Sequence, residues 1–180
     1  MIVVADTTPL ISLMKIDKLA LLQSLFGKVY IPEAVYQELV RNPLFEREAQ
    51  IVKNCEYICI IKISDERAVR ILRRATGLDL GESEAIVLTD EQQADLLLMD
   101  EAKGRAVARQ MGIKIMGTIG ILMIALEKHK ITYAEIVPSI ESLRNTGRHI
   151  KNELYEELLR TAKKFQFGNG GFGENGNDNR

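Results

Sequence analysis

Short apolar, β-branched runs alternate with amphipathic helical stretches through most of this 180-residue chain, and two of the runs lead directly into an aspartate. Ile2–Ala5, Val29–Ile31, Tyr57–Ile63, Leu96–Met99 and Ile113–Met116 each read as a strand. Runs this short and this apolar fit strands buried on both faces, as in parallel sheets. Neighbouring parallel strands need a helical crossover between them. The intervening stretches supply one each time: a helix opened by Pro9 with Thr7 or Thr8 as its cap, one starting at Pro32, and one from Ser64-Asp65 to Thr76, closed by Gly77. Further helices are expected over 81–93, 102–111 and 119–128. The alternation predicts βαβ units in an α/β sandwich with about five strands.

Composition narrows the class. Hydrophobic residues make up 46% and charged residues 27%, ordinary values for a globular chain with a real core. No apolar run reaches the roughly 20 residues of a membrane span. The N-terminus has no basic region ahead of its short apolar run, so it reads as a first strand and the expected location is cytoplasmic. Two cysteines, Cys55 and Cys59, and two histidines, His129 and His149, offer no zinc-site spacing and no nucleophile–base set. Residues 1–166 are expected to form one domain, with amphipathic helices at 133–145 and 152–165. The Gly/Asn-rich tail, 167–180, is expected to be disordered.

The chemistry rests on carboxylates. Asp6 follows the first strand and Asp100 the fourth, at the carboxyl ends where open parallel sheets bind ligands. Glu38 shares a helix face with Ala34 and Val35, so it is expected to turn partly toward the core, where a lone glutamate is costly unless paired or bound to a cation. Glu82 opens an apolar helix beside Ala85 and Ile86, while Glu84 projects roughly opposite and is secondary. Glu101 either shares the strand end with Asp100 or caps the next helix, and Arg105 is placed to orient an acid or meet a phosphate. Four such acids suit a hard cation, Mg²⁺ or Mn²⁺. A cation of that kind polarises a phosphoryl group and generates hydroxide, so no nucleophilic side chain is required.

Five stretches in order resemble one family: Val-Ala-Asp-Thr-Thr-Pro-Leu-Ile-Ser-Leu (4–13), Val-Tyr-Ile-Pro-Glu-Ala-Val-Tyr-Gln-Glu-Leu (29–39), Gly-Glu-Ser-Glu-Ala-Ile (81–86), Leu-Leu-Leu-Met-Asp-Glu-Ala-Lys-Gly-Arg-Ala-Val-Ala (96–108) and Gly-Thr-Ile-Gly-Ile-Leu (117–122). The pattern resembles the PIN domain, most closely its DUF3368 branch, which is related to VapC-type toxin ribonucleases. The resemblance implies a three-layer α/β/α Rossmann-like sandwich around a central, mostly parallel sheet. It implies a Mg²⁺- or Mn²⁺-dependent endoribonuclease, often the toxin of a toxin–antitoxin pair. Matched to the motif, the catalytic acids are Asp6, Glu38, Glu82 and Asp100, with Asp6, Glu82 and Asp100 as the cation's ligands and Thr7 or Thr8 as the assisting hydroxyl. Glu82 stands where PIN toxins usually carry Asp.

Two readings follow. In the first the chain cleaves RNA, guided onto the acids by Arg67, Arg70, Arg73 and Arg74 on one helix and Lys103, Arg105 and Arg109 on another; Arg70, Arg73, Arg74, Lys103 and Arg109 are the expected RNA contacts. The alternative, suggested by Glu82, is a weakly active or inactive nucleic-acid-binding or partner-binding regulator. A phospho-aspartate phosphatase is disfavoured, because Asp6-Thr7-Thr8 lacks the second aspartate of Asp-x-Asp. The late apolar residues, Ile136, Ile140 and Leu143, then Leu154, Leu158 and Leu159, are expected to be mostly core, with part available to a homodimer face or a small antitoxin protein.

Overall fold

The structure, a computed structural model, describes residues 1–145 and 152–167. The tail expected to be disordered lies, apart from Phe167, outside the described residues. The chain divides into two compact units, Met1–Ile121 and the remainder from Leu122. The first carries five parallel strands: β1 (Val3–Ala5), β2 (Val29–Pro32), β3 (Ile58–Ile61), β4 (Leu96–Leu98) and β5 (Ile115–Met116), in the order β3-β2-β1-β4-β5. Between them run α1 (Thr7–Lys15), α2 (Ala20–Phe26), α3 (Glu33–Arg41), α4 (Glu46–Lys53), α5 (Glu66–Thr76), α6 (Leu80–Glu91) and α7 (Ala102–Gln110). This is the α/β sandwich that the alternation predicts, with every strand pair parallel.

The strand order fixes where a site can form. After β1 the chain leaves toward β2, and after β4 it leaves toward β5, so the crossovers diverge between two adjacent strands. That divergence opens a crevice at the strands' carboxyl ends. β1 and β4 pair as Val3↔Leu96, Val4↔Leu97 and Ala5↔Leu98, and the N–H of Asp6 extends the ladder to the carbonyl of Leu98 at 2.9 Å. All six paired residues are buried, whichever face they point to. Helices therefore cover the sheet on both sides, as parallel sheets require.

Helix α6 is buried along nearly its whole length, from Gly81 to Thr89. It lies against β1, β2 and β4, with α3, α5 and α7 as neighbours. A helix enclosed on so many sides has no polar face to show, which explains its weak amphipathicity. Its start is held by a capping box. The Asp79 carboxylate accepts the Glu82 N–H at 2.8 Å, and the Glu82 carboxylate accepts the Asp79 N–H at 3.0 Å. α5 is the opposite case. Val69 faces inward, Asp65 accepts the Ala68 N–H at 2.9 Å as its cap, and left-handed Gly77 ends it.

Several boundaries differ from the sequence expectation for physical reasons. β3 is shorter than 57–63, because β2, with which it pairs, runs from Val29 to Pro32 and gives way to α3. β5 keeps only the two residues opposite Leu97 and Leu98. Between α3 and β3 a 3₁₀ turn, Pro43–Phe45, leads into α4. α1 begins at Thr7 rather than Pro9, with Asp6 in the cap position.

In the second unit, α9 (Tyr133–Asn145) and α10 (Asn152–Phe167) pack together, and Ile136, Ile140, Leu143 and Leu158 are buried. α8 (Thr118–Glu127) begins in the first unit and ends in the second. Among the described residues no helix is long and apolar enough to cross a membrane.

Two substitutions test this packing. A Cβ at Gly104 of α7 would come within 2.5 Å of Sδ of fully buried Met99 and 3.1 Å of Oε1 of Glu82. Gly104→Ala should therefore cost about 1–3 kcal/mol in denaturant unfolding, the usual range for overpacking. Ser83 is buried with no partner for its hydroxyl among the described residues. Removing that oxygen in Ser83→Ala should raise stability by about 1 kcal/mol, or roughly 2–4 °C in Tm for a chain of this size. A lower Tm would mean that the hydroxyl is satisfied after all.

Candidate active site

Asp6 is the deepest acid in the crevice, with only 3% of its surface exposed. β1 fixes its backbone, which is extended (φ −81°, ψ 168°) at the cap position of α1, and its carboxylate makes no cap hydrogen bond. Burial pushes its carboxyl up to about 7, and the Thr7 N–H pulls it down. Asp79, Glu82 and Glu38 then raise it further, so all three carboxylates lie close enough to act on it. The hydroxyl of Thr7 donates to Oε2 of Glu38 at 2.6 Å. Neither Thr7 nor Thr8 caps a helix opened at Pro9. Both lie within α1, because the Asp6 backbone already occupies the cap position, and the Thr7 hydroxyl has a carboxylate to bond. Thr8 contributes its carbonyl to the Ser12 hydroxyl at 2.7 Å.

Glu38 is exposed rather than turned to the core. Val35 and Leu39 occupy the buried face of α3, so Glu38 reaches the acids from the solvent side, over Gly81. Glu82 is 8% exposed, and burial raises its pKa. The Asp79 N–H opposes that, Asp79 and Glu101 add to it, and Lys103 lowers it. The capping box thus puts two carboxylates at the site in one local device. Asp79 was missed in the sequence, where 77–80 reads as a turn. Its Asp-x-x-Glu spacing to Glu82 was the available signal.

Asp100 is half-buried and faces the start of α8. Its two oxygens accept the Thr118 N–H at 2.8 Å and the Thr118 hydroxyl at 2.6 Å. It is not among the groups that shift Asp6 or Glu82, whereas Glu101 does act on Glu82. Glu101 holds the cap position of α7 without a cap hydrogen bond. The Arg105 guanidinium donates to the Met99 carbonyl at 2.8 Å. Burial lowers its pKa first and neighbouring Arg109 adds to that, while Asp100 opposes both. Arg105 therefore braces the end of β4 instead of lying free on the surface. The fit is tight here too: a Cβ on Gly117 would fall 2.7 Å from Oδ1 of Asp100.

Glu84 leaves the other side of α6. Its carboxylate accepts the Ala34 N–H at 3.0 Å, and burial raises its pKa. Of the expected basic residues, Lys103 is engaged with the Gly77 carbonyl at 2.7 Å. Arg70, Arg73 and Arg74 are exposed and line a cavity of about 480 Å³ with Gly77 and Leu78.

A parallel α/β fold with carboxylates gathered where its crossovers diverge defines a phosphoester-type pocket more readily than a nucleophile-based one. The chain belongs to the PIN-domain family: the DUF3368 family model, described as a PIN domain, matches residues 2–164. PIN domains are generally nucleases and usually use divalent metals. No curated protein and no solved structure matches the chain.

The donor set fits a hard divalent cation, since the grouped acids offer carboxylate oxygens alone and a buried Asp6 among three other carboxylates calls for positive charge. Among the described residues, no three His, Cys, Asp or Glu side chains converge tightly enough to ligate a metal. Hydrogen bonds from Thr7, Asp79 and Thr118 hold Glu38, Glu82 and Asp100 in their present positions.

The Asp6 shift fixes a pH dependence. Its carboxyl rises from 3.8 unfolded to about 7 folded. Below the lower value both states are protonated and nothing is lost. As pH rises through this window the unfolded chain ionises first, so stability falls, by roughly 4 kcal/mol once both are ionised. Urea unfolding of metal-free protein should therefore show Asp6→Asn gaining on the wild type from pH 4 to pH 8. Parallel curves would contradict the buried-acid geometry.

Proposed function

We propose that this chain is a metal-dependent endoribonuclease of PIN type, with Mg²⁺ or Mn²⁺ as its cation. The observation that supports this best is a buried aspartate at the switch point, surrounded by Glu38, Asp79 and Glu82. Asp6 and Glu82, with Asp100 from the adjacent strand end, would hold the cation, and Asp79 and Glu38 would supply further negative charge. When bound, the cation supplies Lewis acidity at the phosphoryl group and makes water more acidic.

The protein's own groups do the positioning. In the metal-free chain Asp6 takes up a proton close to neutral pH, and a bound cation would take that proton's place. The Thr7 hydroxyl fixes the Glu38 carboxylate, and Thr118 fixes that of Asp100 from two donors. Arg105 holds the Met99 carbonyl, next to the residue that bears the fourth acid. The family supports the nuclease class. RNA as substrate, a toxin role with a small antitoxin partner, and a homodimer are further parts of this reading.

A cleavage assay on structured RNAs with Mg²⁺ or Mn²⁺ tests it. Asp6→Asn and Asp100→Asn should each lose on the order of 100-fold or more, the scale of a well-positioned acid or base. Thr118→Val should lose about tenfold, as when a partner of a ligand is removed. Unchanged cleavage in both aspartate variants would sink the proposal. Wild type that binds RNA but leaves it intact would favour a regulatory binding protein.

A further inference from the structure

Two cavities flank the same arginines on α5, the smaller of them on the Glu84 side of α6. One, of about 480 Å³, joins Arg70, Arg73 and Arg74 to Gly77 and Leu78, the two residues that lead into Asp79. The other, of about 220 Å³, has an apolar floor of Ile63, Val69 and Leu80, and Arg70 and Arg73 form part of its wall. Its remaining polar lining is Lys62 with three carboxylates, Glu33, Glu66 and Glu84. Among the described residues, Arg70, Arg73 and Arg74 take part in no ion pair. Three exposed guanidinium groups along one side of the helix, none of them in a direct ion pair, leave their forks open to an anion.

We infer that these two cavities form one nucleotide subsite, separate from the acid cluster, which holds a non-scissile phosphate of a single RNA strand on one side of Arg70 and Arg73 and a guanine base on the other. The inference rests on the nuclease reading for its substrate class. Phosphate oxygens match the guanidinium forks of Arg70, Arg73 and Arg74. In the smaller cavity the apolar floor suits the ring faces. Glu33, Glu66 and Glu84 can only accept hydrogen bonds when ionised. Guanine alone presents a ring N–H and an amino group side by side, the pair a carboxylate takes with both oxygens. Its O6 and N7 edge accepts from arginine. Uracil offers carboxylates a single ring N–H. The subsite abuts Asp79 through Leu78, so a strand held there leads toward the acids.

The test measures binding by the full chain in EDTA, where metal-dependent cleavage is off. The probes are a fluorescent oligouridylate octamer and versions carrying one central guanine, adenine or cytosine. The guanine version should bind at least about fivefold tighter than the others, the low end of discrimination by a bidentate base contact. Arg70→Gln with Arg73→Gln and Arg74→Gln should weaken every probe and lower the salt slope, by about 0.7 per lost phosphate contact. Glu66→Gln, an exposed and conservative change, should shrink the guanine preference and leave the salt slope unchanged. Equal binding of all four probes, or an unchanged slope in the arginine variant, overturns the subsite. An arginine variant with lost helicity would be replaced by the three single changes, whose salt slopes support or overturn the subsite in the same way. Because cleavage plays no part, a wild type that fails to cut RNA leaves this result standing. Conversely, normal cleavage with no guanine preference removes the subsite and spares the nuclease.

Discussion

The hydrogen bond from the Asp6 N–H to the Leu98 carbonyl is the constraint on which the rest depends. It carries the β1–β4 ladder one residue past the strand and so fixes where the first acid stands relative to the end of β4. A slip of one residue in β1 would turn that strand's side chains to the opposite faces and carry Asp6 away from the Leu98 carbonyl. Asp6 and Asp100 follow these two strands, and the helices after them, α1 and α7, start from ends whose positions are already set.

Placing acids there is costly. Asp6 is driven toward neutrality by burial, and Glu82 in the same direction. The fold offsets part of that cost by giving most of the acids a structural task. Glu82 accepts the Asp79 N–H, Asp79 accepts that of Glu82, Asp100 accepts both donors of Thr118, and Glu38 accepts the Thr7 hydroxyl. A carboxylate that accepts a well-aimed donor keeps its charge more easily. These same bonds hold the oxygens apart. The protein's own hydrogen bonds set these positions, and Asp6, the most buried of the acids, has its carboxyl pushed up to about 7.

Helix α6 divides two environments. From one side Glu82 enters the acid crevice. From the other, Glu84 caps α3 and helps line a cavity of mixed charge beneath α5. Two residues of separation rotate the side chains to roughly opposite directions. One buried helix therefore serves both the acids and the arginine-rim cavities, and the turn of Gly77 to Asp79 connects them. Lys103 ties that turn to α7 through the Gly77 carbonyl.

The sequence by itself determined the sandwich, because continuous apolar runs separated by helix-length segments leave parallel βαβ units as the packing that buries both sheet faces. It determined that Asp6 and Asp100 lie at carboxyl strand ends, and the helical period separated Glu82 from Glu84. Tertiary structure decided the rest. Strand order, which no local pattern encodes, put β4 beside β1 and created the crevice. Burial by α3 neighbours left Glu38 exposed where its own face looked apolar, since Val35 and Leu39 took the inner positions. Asp79 joined the acids only because α6 is docked against β1 and β2. Thr118, 18 residues beyond Asp100, became its partner for the same reason: hydrogen bonds between distant side chains depend on which elements meet, and that is settled by packing rather than by sequence spacing.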